Sequence, residues 1–265
     1  MALLYSMWDE PPVRRIEDEP GPWFAYCGKR QELNNLLLPV ELSHSKTPCE
    51  KGLDCSFGSQ DRRDGKAVFI GAPTGWGNGR RRSVFLAGMN AMHRVYARIK
   101  HHANEPIEDH ELVSVLKTDE KVTLQDQVSH FKYIVHVEGH CAAVRLGSLL
   151  ASPSAVMKVA SEQDEWFTPL LKPYKHYIPV SFDVHNNGTG SGYSVNLADQ
   201  VEWAEAHPEA VAMIAKNANT FAEHFLSPEG RSCYAAWLLH EYAQMQRDPW
   251  SIREQRDSMV RAEAL

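Results

Sequence analysis

The chain has 265 residues, 43% of them hydrophobic and 23% charged, which supports one large core or two modest ones. A formal net charge of −6 and a pI near 6.1 lack the basic excess of a general nucleic-acid binder. No apolar run approaches the roughly 20 residues of a membrane span. The opening MALLYSMWDEPP is too short an apolar stretch, and lacks the basic start, of a secretory signal.

In chain order, Ala2 to Met7 reads as a buried strand ending at Trp8-Asp9-Glu10-Pro11-Pro12. Prolines 11, 12, 20 and 22 keep the next segment extended, and Trp23 to Cys27 reads as a second short strand. Residues 43–65 are an irregular connection rich in Ser, Gly, Asp and Cys. Within it Cys49 and Cys55 fit either a small disulfide-closed loop or two free thiols. Together with Cys27, Cys141 and Cys233 they form no zinc pattern. Lys66 to Gly71 is a strand broken by the turn-rich APTGWGNG, and a helix is expected from about Arg80 to Lys100.

Residues 101–123 are polar and weakly patterned, with a short strand over Leu112 to Leu116. Their cluster of His101, His102, Asp109, His110 and Glu111 fits no metal-ligand spacing and reads as a solvated loop. From Leu124 the expected order is a helix turn, a strand (133–137), a helix (141–150), a strand (155–159), a helix (162–171) and a short strand (177–180). The loop NNGTGSG carries the sequon Asn187-Gly188-Thr189. Helices follow over Val195 to Glu205, Pro208 to Phe225 and Pro228 to Gln246, the last capped by Ser227 with Pro228 at its first position. Alternating strands and helices imply parallel βα units in a doubly wound α/β layer.

The run from Tyr133 to Val159 is chemically the most suggestive. A strand breaks at Glu138-Gly139-His140, passes small residues and enters a helix near Arg145. Free N–H groups converge at such a corner and attract anions, and an arginine fork can hold two phosphate oxygens. Glycine-rich strand-to-helix turns also occur in proteins that bind no phosphate. Arg80-Arg81-Arg82 has two readings, a solvated helix start or an anion contact; cations in a first turn are mildly unfavourable unless an anion lies near.

Specific segments carry a family resemblance: His130-Phe131-Lys132-Tyr133, Glu138-Gly139-His140-Cys141-Ala142-Ala143-Val144-Arg145, and Glu165-Trp166-Phe167. Leu171-Lys172-Pro173-Tyr174-Lys175-His176-Tyr177-Ile178-Pro179-Val180 continues it, and Cys233-Tyr234 with Leu239-His240-Glu241-Tyr242 closes it. From Leu124 to Tyr242 the chain resembles the donor-sugar domain of glycosyltransferase family 90. That family contains the Rumi-type protein O-glucosyltransferases and the fungal capsule-associated xylosyltransferases. The resemblance implies a GT-B-like, Rossmann-like donor domain with a parallel sheet over 66–265. Residues 1–65 would be the remnant of a reduced or truncated N-terminal acceptor-side domain carrying the base.

It further implies an inverting, metal-independent transferase, with no cofactor, moving glucose from UDP-glucose or xylose from UDP-xylose to a hydroxyl of a protein or glycan acceptor. Asp9 matches the family's strand–Asp–x–Pro motif and would be the catalytic base; by position alone it fits a surface turn. The diphosphate would meet the backbone of Gly139, His140, Cys141, Ala142, Ala143 and Val144, with Arg145 as charged clamp. Cys141 reads as a small residue lining this cradle. Gly71, Thr74 and Arg82 would line the other side, where the family has Arg-Gly-Ser/Thr and this chain has Ile70 in the arginine position. Lys158 and Glu162 suit ribose or sugar hydroxyls, Glu165 reads as a surface charge, and His176-Tyr177 as core. Animal relatives work in the secretory pathway, whereas this sequence shows neither an entry signal nor a retention tail. The alternative is a catalytically inactive UDP-sugar-binding protein or a fragment of such a transferase. A kinase-like nucleotide protein is disfavoured, since no GKS/T loop is present.

Overall fold

The computed structural model describes residues 23–29, 35–39, 64–72, 80–100, 117–118, 122–186 and 191–247. Asp9, Thr74, Cys49, Cys55, the 101–111 histidine cluster, the strand expected at 112–116 and the sequon at Asn187 lie outside them. The chain divides into two compact units, Met1–His224 and Phe225–Leu265.

The first unit is built on a six-stranded sheet. Its members are β4 (Asp64–Gly71), β5 (Val95–Lys100), β6 (Lys117–Thr118), β7 (Phe131–His136), β8 (Ala155–Val159) and β10 (Ile178–Val180). All neighbours are parallel and the spatial order is β10-β8-β7-β4-β5-β6. Read from β4, this is the 3-2-1-4-5-6 order of the Rossmann fold, with the order reversing between β4 and β7. Right-handed crossovers then put α1 (Arg80–Asn90) on one face and α3 (Leu146–Leu150) on the other. The chain enters β7 through α2 (Leu124–His130). Thr123 and Asp126 close a capping box at its start, Thr123 Oγ1 accepting the Asp126 N–H at 3.1 Å and the Asp126 carboxylate the Thr123 N–H at 2.7 Å.

Alternation along the strands decides which side chains form the core. Ala67 and Phe69, Tyr133, Val135 and Val137, Ala155, Met157 and Val159 share one buried cluster with Val84 and Phe85 of α1. Leu197, Val201 and Ala204 of α4 (Leu197–Ala206) and Val211, Ile214 and Ala215 of α5 (Pro208–Phe225) complete it. The opposite parity puts His136 beside Lys158 in register on the other face. Outside the main sheet, β1 (Trp23–Ala25) pairs parallel with β3 (Asn35–Leu37), and β2 (Cys27–Lys29) antiparallel with β9 (Gln163–Glu165). A hairpin of β11 (Phe182–Asn186) and β12 (Ser191–Val195) leads into α4. The second unit contains α6 (Pro228–Arg247), where Ser227 Oγ accepts the Gly230 N–H at 3.1 Å, the cap expected from Ser-Pro.

Three expected helices differ from the sequence reading. The helix expected over 80–100 ends at Asn90, and Val95-Tyr96-Ala97-Arg98-Ile99 forms β5, because β-branched and aromatic residues there pair with β4. The helix expected over 162–171 is β9 followed by a single 3₁₀ turn, Thr168–Leu170. Thr168 explains this: its hydroxyl accepts the Glu165 N–H at 3.0 Å and donates to Asp164 Oδ1 at 2.9 Å, and Pro169 has no N–H for a ladder. The helix expected over 141–150 shrinks to Leu146–Leu150, since residues 141–143 are held in other bonds. As expected, His176 is core, packed on Phe221 with ring centroids 5.2 Å apart and accepting the Lys172 N–H at 3.1 Å.

α1 packs on β5 through Gly88, where an added Cβ would stand 2.9 Å from Ala97 Cβ. Alanine favours a helix by about 1 kcal/mol over glycine, but overpacking costs about 1–3 kcal/mol. Gly88→Ala is therefore expected to lower stability by about 1 kcal/mol in urea unfolding; a more stable variant would contradict this packing.

Candidate functional site

Ligands of open parallel sheets bind beyond the carboxyl ends of the strands where the order reverses. Here that place lies between the ends of β4 and β7, and two arginines stitch its lips together. Arg145 donates from Nη1 to Ile70 O at 3.3 Å and from Nη2 to Val135 O at 2.9 Å. Arg81, from the first turn of α1, donates from Nε to Glu138 O at 3.2 Å and from Nη1 to Ala72 O. Both guanidiniums lie over the Phe69 ring, with Cζ 4.8 Å (Arg145) and 5.9 Å (Arg81) from its centroid. Gly71 permits that ring position, since an added Cβ would stand 2.7 Å from the Phe69 ring.

Two cations this close are costly unless the surroundings compensate. Burial, and then the neighbouring Arg81, pull the Arg145 guanidinium down to about 10, while Glu138 opposes the shift. Carbonyl dipoles and the buried Glu138 carboxylate offset part of this cost. Arg80 extends the basic edge, donating to Ala160 O at 3.0 Å beyond β8 and lying 4.9 Å from the Phe182 ring centroid.

The sequence reading expected free N–H donors along Gly139–Val144 and an arginine inside the helix. Instead Arg145 is the N-cap residue of α3, and the Ala143 N–H is donated to the Glu138 carboxylate. Cys141 is not merely small: it is joined to Cys27 of β2 by a disulfide, with Cα atoms 6.3 Å apart. Gly139 is buried, His140 exposed, and Ala142, Ala143 and Val144 half-buried. Across the crevice Arg81 carries a crossing guanidinium, and Arg82 is half-buried. Gly71 stands at the end of β4 as expected.

Beneath the turn lies a buried ionisable floor. His136, at 0% exposure, donates from Nε2 to Glu138 Oε1 at 2.9 Å, and its Nδ1 has no hydrogen-bond partner among the described residues. Burial holds His136 below the usual imidazole range and therefore neutral. Burial alone would raise Glu138, but the His136 ring, Lys158 and the Ala143 N–H overcome it and hold the carboxyl below its usual range. Glu165 is a correction to the sequence reading: it is buried rather than a surface charge. Burial and then the Glu138 charge raise its carboxyl well above the usual range. Lys158 is buried beside them, whereas Glu162 is exposed. Among the described residues no group of three or more His, Cys, Asp or Glu side chains could hold a metal ion, and no helix is long and apolar enough to cross a membrane.

Sequence reasoning missed the Cys27–Cys141 bond and Glu138's part in the turn. Glu138 could have been found, because a carboxylate flanking an expected buried turn needs a partner. Cys27 carried no local signal.

The sheet order defines a Rossmann-like α/β protein, with the guanidiniums of Arg81 and Arg145 at its switch point. The chain belongs to glycosyl transferase family 90, whose model matches residues 59–265. It is 26% identical over 251 residues to mouse protein O-glucosyltransferase 3, covering 91% of this chain and 46% of the relative. It is 27% identical over 250 residues to zebrafish protein O-glucosyltransferase 2, with the same coverage of 91% and 46%. To human protein O-glucosyltransferase 1 it is 30% identical over 113 residues, covering 43% of this chain and 26% of the relative. The chain spans about half the length of the first two relatives.

The disulfide closes a loop of 114 residues and ties the turn to β2. Cys27→Ser is expected to destabilise the protein by about 2–5 kcal/mol. Denaturant unfolding with and without reductant checks this: the wild type should lose stability on reduction and the variant should not.

Proposed function

We propose that the chain is the donor-binding part of an inverting transferase that moves glucose or xylose from a UDP-sugar to a hydroxyl of a protein or glycan. The observation that carries this reading is the convergence of Arg81 and Arg145 on Phe69 at the switch point, in a chain of a glycosyl transferase family. Loss of a nucleotide diphosphate builds negative charge on the leaving group, and fixed cations in a dry crevice favour that charge more than the ground state. The carbonyl bonds of Arg145 use part of its fork, orient it and leave its remaining donors for phosphate oxygens. No metal is required for this stabilisation.

In this reading residues 66–265 hold the donor, with UDP at the turn from Gly139 to Arg145, and Lys158 and Glu162 toward the ribose or sugar. Asp9 takes the proton of the acceptor hydroxyl as it attacks the anomeric carbon opposite the diphosphate. The names of the relatives favour glucose and a protein acceptor.

Titration calorimetry with UDP tests the crevice. Arg145→Ala and Arg81→Ala are each expected to weaken UDP binding at least tenfold, about 1.4 kcal/mol or more; unchanged affinity in both would reject the site. UDP release from UDP-glucose or UDP-xylose with a peptide acceptor tests transfer. There Asp9→Asn should abolish turnover and spare UDP affinity. UDP binding without turnover under any acceptor would instead identify a binding protein.

A further inference from the structure

The turn between β7 and α3 has little regular structure to lean on, since α3 is only five residues long. Three ties hold it. Arg81 Nε bonds Glu138 O, the Glu138 carboxylate accepts the Ala143 N–H, and Cys141 is linked to Cys27. Glu138 takes part in two of these. Its carboxylate is 1% exposed and is anchored from the strand below by His136 Nε2, which is itself fully buried. A carboxylate fixed by one donor on its strand and a second across the turn closes Glu138 to Ala143 into a ring. That ring presets the directions of the intervening N–H groups.

We propose, on the reading of the crevice as a donor-diphosphate site, that Glu138 is the positioning residue of the turn: it acts by clamping Ala143 and seating Arg81, not by touching the ligand. The contrary role would be an internal anion that occupies the phosphate position and leaves when the donor arrives. Its two anchors and its burial speak for a fixed clamp. Preorganisation of this kind raises affinity by removing the ordering cost at binding.

Substitution separates geometry from charge. In Glu138→Gln the amide oxygen can still accept the Ala143 N–H. Its NH₂ can donate to His136 Nε2 once the ring carries its proton on Nδ1. Glu138→Ala deletes both bonds. UDP binding is read by calorimetry on the full chain, alongside the thermal midpoint and far-UV circular dichroism. Glu138→Gln is expected to keep UDP affinity within about threefold of wild type, and Glu138→Ala to lose at least about tenfold at temperatures where all three are folded.

Wild-type affinity in Glu138→Ala, or a rise in affinity in both variants, would overturn the clamp; the rise would mark a displaceable anion. If wild-type protein does not bind UDP, the donor-site reading itself fails and the clamp with it. Should Glu138→Ala not fold, hydrogen exchange at the Ala143 amide of ligand-free wild type decides. Protection supports the clamp, and exchange at the rate of an open loop overturns it.

Discussion

Two guanidiniums lie over one phenylalanine ring in this fold, and much of the sheet's carboxyl edge is arranged around that fact. Like charges at this separation repel, and burial removes the water that would screen them. The fold offsets the repulsion with backbone. Ile70, Ala72, Val135 and Glu138 all turn carbonyl oxygens toward Arg81 or Arg145. Because those carbonyls come from both β4 and the end of β7, the same bonds that tolerate the cations also fix the width of the crevice. Gly71 and the Phe69 ring complete the arrangement from below.

The polar floor is the second constraint. Burial keeps the His136 imidazole below its usual range beside the Glu138 carboxylate, and burial together with the Glu138 charge raises the Glu165 carboxyl well above its own. Such a group is stable only when its geometry is kept, because each unpaired buried atom costs free energy. This ties the rigidity of the turn to the integrity of the strands beneath it.

Much of the architecture was readable before any coordinates. The alternation of apolar strands with amphipathic helices placed β4, β7, β8 and β10 within a residue or two, and the long helices 208–225 and 228–247 were marked by proline and serine caps. Family-like segments cover the turn that the structure puts at the switch point. The failures share a cause: each depends on a partner distant in sequence. β5 looked like the tail of a helix until β4 lay beside it. Residues 163–165 of the segment expected as a helix form a strand that pairs with β2, more than a hundred residues earlier. Glu165 looked like a surface charge because burial depends on what packs over it. Among three consecutive arginines, local pattern could not say that Arg81 bonds the distant Glu138 carbonyl.

The bond between Cys27 and Cys141 also imposes an order of events. Cys27 leaves the ribosome well before its partner, and its own strand pairs with residues that emerge later still. The thiol of Cys27 and the edge of β2 therefore have their partners only once the middle of the chain has been made. The finished turn thus needs a chemical oxidation as well as folding, so it depends on the redox state of the compartment in which the chain is made.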